Sequence, residues 1–231
     1  MWDTRCRGID TREAVGSLPF VDPTILDAGS GEFGLNAFMP SARIVGADIL
    51  PQEKVDKDVN YVHCSILELP FDDRSFDIVV SVDVLEHLPP ELRAEAVRQI
   101  ARTSRKAVVI TFPTGQVARK IDEGFENELK GRGREIPDWL NEHLANPYPT
   151  AAEIARLIQE EAKCNGRKVK TNFLYSENIA VARFLRWSAV RSKYIYLAAN
   201  LIFGFLLPLV PKAAEDNAYR TIVLAEFLSD R

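Results

Sequence analysis

The sequence predicts an α/β fold built on a mainly parallel sheet. Short β-branched runs alternate with helical patterns through the first half, and a glycine-rich turn follows directly on the first such run. Composition agrees: 46% hydrophobic and 27% charged residues over a length of 231 are ordinary globular usage, which excludes disordered, collagenous and disulfide-scaffold classes. No repeat, linker or low-complexity tract divides the chain, so residues 1–231 are expected to form a single domain.

Thr24-Ile25-Leu26-Asp27 reads as the first strand. Arg43 to Asp48 (RIVGAD) is the second, Asn60 to Cys64 the third, Phe76 to Val82 the fourth and Ala107 to Phe112 the fifth. Between the last two, Pro90 to Thr103 sets Leu92, Ala96, Val97 and Ile100 at helical spacing. Gly, Pro and charge dominate from Pro113 to Pro149, where only short helices are expected, one of them around Trp139 to Leu144; residues 113–150 read as a lid-like insertion. Thr150-Ala151-Ala152-Glu153 is a capping box opening a helix with Ile154, Leu157 and Ile158 on one face, and Gly166 stands at its stop. Lys168 to Leu174 alternates as a strand does and Thr221 to Phe227 closes the set, giving seven strands.

Gly29, Gly31 and Gly34 form G-x-G-x-x-G immediately after the first strand, and a helix start is expected beyond them. Glycine permits a tight turn and lets the backbone approach a ligand, while a helix start offers free N–H groups. Asp48 lies 19 residues after Gly29 at the end of the next strand, where a carboxylate can accept from both ribose hydroxyls. Dinucleotide and other adenosine sites share these features. Asp27 discriminates: an anion two residues before the first glycine repels a pyrophosphate but suits the ammonium and sulfonium cations of S-adenosylmethionine. A carboxylate that merely caps the loop is the competing account of Asp27.

Downstream come Leu69-Pro70-Phe71, Ser75-Phe76-Asp77-Ile78-Val79-Val80-Ser81 and Asp83-Val84-Leu85-Glu86-His87-Leu88. With these four ordered motifs, Ile25 to Pro113 resembles the class I S-adenosylmethionine-dependent methyltransferases, in their small-molecule, type 11-like branch. The resemblance implies a Rossmann-like doubly wound sheet of order 3-2-1-4-5-7-6 with the seventh strand antiparallel. It also implies S-adenosyl-L-methionine as cofactor. Gly29, Gly31 and Gly34 would line the methionine and ribose, Asp27 would reach the amino group, Asp48 would hold the ribose hydroxyls, and Ile49 and Ile66 would pack the adenine. The backbone near Ser81 and Val82 would meet the methionyl end. One departure is Ser65, where many relatives carry an Asp that accepts from the adenine amine; a hydroxyl offers a neutral contact and weaker affinity.

Methyl transfer needs alignment and, for many acceptors, a base, and histidine is the natural one near neutral pH. His63 reads as a strand residue and His87 as a shaper of the loop below the cofactor. His143 is the catalytic candidate, a surface helix position being its bland alternative, and Asp83 could orient a ligand. No constellation of clustered carboxylates and histidines stands out, so no metal is expected.

Cys6, Cys64 and Cys164 are unpaired in spacing, and Met1 to Asp10 holds no apolar run, so a reduced, cytoplasmic protein is expected. The formal charge of −4 gives no field for nucleic acid, and no nucleic-acid substrate is expected. One anomaly stands out within 178–214, a basic and apolar insertion before the last strand. Its 37 residues contain no acid but five cations, Arg183, Arg186, Arg191, Lys193 and Lys212, and Tyr194 to Pro211 is uncharged for 18 residues. A single membrane crossing there would separate the last two strands of one sheet. An anionic membrane surface met through 183–212, a homodimer contact, and burial on the domain itself remain open. The functional expectation is methyl transfer to a small-molecule or lipid-linked acceptor, peripheral at the membrane in one version. Its rival is a non-catalytic methyltransferase-fold module docked on a membrane or partner. A nicotinamide oxidoreductase would share only the glycines and Asp48.

Overall fold

The computed structural model describes residues 2–206 and 213–228. In chain order the elements are α1 (Trp2–Gly16), β1 (Thr24–Ala28), β2 (Arg43–Asp48), β3 (Tyr61–His63), β4 (Phe76–Val82), α2 (Pro90–Thr103), β5 (Ser104–Pro113) and α3 (Gly115–Gly131). There follow α4 (Asp138–Ala145), α5 (Ala151–Cys164), β6 (Lys168–Asn178), α6 (Ile179–Arg191), α7 (Lys193–Leu206) and β7 (Ala218–Leu228).

The strands form one seven-stranded sheet of order β3-β2-β1-β4-β5-β7-β6. β1 to β5 run parallel, while β7 lies antiparallel between β5 and β6, with Ile110 opposite Val223 and Phe173 opposite that same Val223. Successive side chains on a strand face opposite ways, so near-continuous apolar strands need a cover on each face. Leu26, Val79, Val108, Ile110 and Val223 pack under Ala96, Val97 and Ile100 of α2 and Ile154 and Ile158 of α5. Ile25, Ile78, Val80, Val109 and Leu224 face the other way, onto Ala14 and Val15 of α1 and on to Leu18. The capping box on α5 is formed: Thr150 Oγ1 accepts from Glu153 N–H at 3.2 Å, and Glu153 accepts in return from Thr150 N–H.

Two expectations need correction. The glycine turn is followed not by a helix but by a single 3₁₀ turn, Leu35–Ala37, because only eight residues separate Gly34 from β2 and Pro40 interrupts them. α1, which alternating charges had hidden, covers that face instead: a Cβ at Gly8 would fall 2.3 Å from the Phe38 ring, so the glycine admits Phe38 against the helix. Residues 113–150 contain more than short helices: α3 runs for 17 residues and buries Ala118, Ile121 and Leu129 on one side. Gly124 and dense surface charge had masked that spacing.

The basic apolar segment falls between β6 and β7 as expected, and forms α6 and α7. α7 leaves Tyr194, Ile195, Leu197, Leu201 and Ile202 exposed. No described helix is long and apolar enough to cross a membrane. Leu207 to Lys212, the end of the segment, lie outside the described residues.

Candidate functional site

The glycine turn sits at the carboxyl ends of β1 and β2, in the crevice where open α/β sheets bind ligands. Gly29, Gly31 and Gly34 all adopt left-handed φ values, +84°, +63° and +57°. Gly29 could not carry a side chain even with another φ, since its Cβ would meet Val84 Cγ2 at 2.2 Å; a Cβ at Gly31 would meet nothing within 4 Å, leaving the turn open on that side. Two carboxylates brace the loop. Buried Asp27 accepts from Leu35 N–H at 2.6 Å, so the loop-capping role is real. Asp48 accepts from Gly31 N–H at 2.9 Å and from Leu50 N–H at 3.0 Å. Tyr61 donates its hydroxyl to the Asp48 carbonyl at 2.6 Å and lies beside that of Leu50; burial, then the Asp48 charge, push its pKa up to about 12.

The remaining cofactor candidates lie around this crevice unevenly. Ile49 is 68% exposed, free to cover an adenine, whereas Ile66 turns its side chain into the core among Leu26 and Leu69 and offers only its backbone. Ser65 Oγ accepts from Leu67 N–H at 3.2 Å, a local turn that holds the hydroxyl at the mouth of β3. Val82 is half-buried at the end of β4. Two hydroxyls beside the crevice, Ser30 Oγ and Ser81 Oγ, are buried without a hydrogen-bond partner among the described residues. An open glycine edge, two carboxylates at strand ends, an exposed apolar cover and two unsatisfied hydroxyls fit an adenosyl amino acid; a second phosphate would approach Asp27.

Beyond β4 the chain enters a buried polar network that spacing alone did not reveal. Asp83, at φ +53°, is clasped by Arg220 of β7 with contacts of 2.9–3.0 Å, and Arg220 also pairs with Glu177. Asp122 of α3 accepts from Tyr148 and Tyr219 hydroxyls, each at 2.7 Å, and meets Arg186 Nε at 3.1 Å. Burial works against ionisation of Asp122, but His143, Arg186 and the two hydroxyls outweigh it and hold its pKa below the usual range. Burial, and then Asp122, raise the pKa of Tyr148; burial dominates the rise at Tyr219.

His143 is not a surface residue: at 6% exposure it stands between Asp122 and His87. His87, from the loop after β4, pairs with Glu142 at 2.6 Å; burial, then His143, lower its pKa against the pull of Glu142. His63 lies far from this network, exposed and bonded to the Ile49 carbonyl at 2.9 Å. Arg93 of α2 fastens the loop: it donates to the Leu85 carbonyl at 3.1 Å and to that of Pro147 ahead of α5. Arg119 of α3 donates to the Leu144 and Asn146 carbonyls at 3.1 and 2.9 Å, closing the end of α4.

On the outer side of α3, a groove of about 950 Å³ opens against α6. Its walls are Val117, Ile121, Phe125, Phe184 and Trp187, and Lys120 and Arg183 stand among them.

The sheet order, with its one reversed strand, sets the braced glycine turn at the carboxyl ends of β1 and β2. The model of the methyltransferase domain family matches residues 26–112, which span β1 through β5. Residues 26–112 are thus similar to the methyltransferase domain family. No curated protein sequence matches it significantly. Solved structures share its fold at low identity. A SAM-dependent methyltransferase from Thermotoga maritima has a TM-score of 0.57 at 15% identity, over 96% of this chain and 90% of that one. One from Archaeoglobus fulgidus gives 0.56 at 14%, over 95% and 94%. Magnesium protoporphyrin IX methyltransferase from Synechocystis, solved with bound S-adenosylhomocysteine, gives 0.53 at 14%, over 97% and 83%.

A homeobox KN domain model also matches residues 139–173. That span runs through α4 and α5 into β6, which pairs with β7, and α5 buries Ile154, Ala155 and Ile158 in the core. It forms no three-helix unit with a helix free for a DNA groove.

Proposed function

We propose that the chain is an S-adenosylmethionine-dependent methyltransferase acting on a small, amphiphilic or lipid-linked acceptor. The glycine turn braced by Asp27 and Asp48 carries the reading. When bound, the cofactor supplies a methyl group on a sulfonium, open to in-line attack. Asp48 offers acceptor lone pairs to ribose hydroxyls, Gly29 and Gly31 bring backbone close to the ligand, and Ile49 covers the base. Asp27 places negative charge beside an ammonium group. Ser81 and Val82 form the wall at the reacting end, and the loop from Asp83 to Leu88 separates that wall from α4.

The groove between α3 and α6 supports an acceptor with an apolar body. Aromatic and aliphatic walls with lysine and arginine between them suit a lipid chain bearing an acidic group. The exposed apolar side of α7, with Arg191 and Lys193 at its start, supports docking on an anionic membrane surface from the protein's own face. The test combines two measurements: release of S-adenosylhomocysteine with amphiphilic acceptors, and co-sedimentation with anionic liposomes at low salt. Turnover that Gly124→Phe abolishes by filling the groove is expected. Cofactor binding without turnover on any amphiphile would favour the non-catalytic module, and failure to sediment would remove the membrane.

A further inference from the structure

Glu86, His87 and His143 come from two separate segments, yet one donor atom from each lies within 4.8 Å of the others. The two histidine Nε2 atoms face each other at 3.3 Å, and Glu86 Oε1 is 3.7 Å from His143 Nε2. Each ring is fixed from behind by a carboxylate: Glu142 Oε2 lies 2.6 Å from His87 Nδ1, and Asp122 Oδ2 lies 3.4 Å from His143 Nδ1. A carboxylate accepts, so each ring donates from Nδ1 to the carboxylate behind it. Both Nε2 atoms are thereby turned toward one another, beside the fully buried carboxylate of Glu86. A metal ion at the centre of this arrangement would meet all three donors at once. Two nitrogen ligands at tetrahedral angles and Zn–N bonds of 2.0–2.1 Å stand about 3.3 Å apart.

We propose that Glu86, His87 and His143 bind a first-row divalent metal ion, with Glu142 and Asp122 as the outer carboxylates that orient the two imidazoles. Two imidazoles and one carboxylate form a ligand set that zinc and its neighbours favour, and it leaves coordination positions for water or another oxygen. Glu86, Glu142 and Asp122 all stand against the two rings, with Arg186 on Asp122 and Arg220 on Asp83. Glu86 stands two residues past Val84, whose side chain packs on the Gly29 turn, so the site shares the loop after β4 with that turn's neighbour. There the metal's open positions take a hydroxyl or carboxylate oxygen of the acceptor; this last role rests on the methyltransferase reading, while metal binding does not.

The test uses the full untagged chain, stripped with EDTA and titrated with Co²⁺ by absorbance and with Zn²⁺ by calorimetry. One equivalent is expected to bind. His87→Ala should weaken binding at least about 100-fold, and Glu142→Gln about 10–100-fold, the usual cost of losing an outer partner. The His87 side chain is 30% exposed, so its variant should fold, and thermal melts in EDTA check this; His143→Ala is secondary because that side chain is packed. No binding by the parent chain, or unchanged affinity in folded His87→Ala, overturns the site. S-adenosylhomocysteine is titrated in EDTA alongside. Its binding without metal binding sinks only the metal site, and metal binding without it sinks only the cofactor reading.

Discussion

Gly29→Ala tests the geometry of the crevice most sharply. The residue sits at φ +84°, where an L side chain costs about 1–2 kcal/mol. Its new Cβ would also fall 2.2 Å from Val84 Cγ2, and forcing an extra carbon into packed surroundings costs about 1–3 kcal/mol. The sum is a loss of about 2–5 kcal/mol, large enough to move a urea midpoint clearly. Only the second part depends on Val84. A double-mutant cycle with Val84→Ala should therefore return a favourable coupling of about 1–3 kcal/mol, leaving the backbone cost behind. Calorimetry should show S-adenosylhomocysteine affinity lost in the single variant and partly regained in the double. Stability within about 0.5 kcal/mol of the parent, or no coupling to Val84, would refute the close approach of the loop after β4 to the glycine turn.

Gly124→Ala should stabilise the chain by about 0.5–1 kcal/mol in urea unfolding, because this α3 position has ordinary helical φ and a Cβ there would meet nothing within 4 Å. Thr150→Ala should cost about 1 kcal/mol through loss of the α5 capping box. Asp77 is held well below its ordinary value of 3.8 because ion-paired hydrogen bonds from Lys106 and Arg105, with Thr24, outweigh the burial that opposes ionisation. Its stabilisation is therefore present above that value and lost as pH falls below it. The urea midpoints of the parent and Asp77→Asn should differ at pH 7 and converge in acid. Ser65→Asp should tighten S-adenosylhomocysteine binding by up to about tenfold, since a charged acceptor forms the stronger hydrogen bond and keeps the local turn.

The strands were legible because each is a short β-branched run bounded by turn residues, and β2 and β4 begin and end where their patterns do. α5 was legible from its cap. α3 was not, since Gly124 and the charges between Ala118 and Leu129 blur a helical face that only the packed α6 makes plain. The 3₁₀ turn after Gly34 was hidden by the family pattern, though the short distance to β2 could have exposed it. For the site, Asp27, the glycines and Asp48 are neighbours along adjacent strands and could be read from spacing. Glu86, His87 and His143 could not: 56 residues part the two histidines, and their meeting depends on Arg93 and Arg119 holding α4 against the loop after β4. Ile66 shows the reverse case, a residue next to Ser65 in sequence whose side chain the turn after β3 directs into the core.

The most direct test of the cofactor crevice is calorimetric titration of the full chain with S-adenosylhomocysteine and, separately, with NAD. Asp48→Ala is titrated in parallel after a thermal melt has checked its fold. The expected result is one-to-one binding of S-adenosylhomocysteine, no heat from NAD at the same concentration, and affinity at least about tenfold weaker in the variant, as loss of a charged hydrogen bond requires. Absence of S-adenosylhomocysteine binding, equal binding of NAD, or indifference to Asp48 would contradict the account.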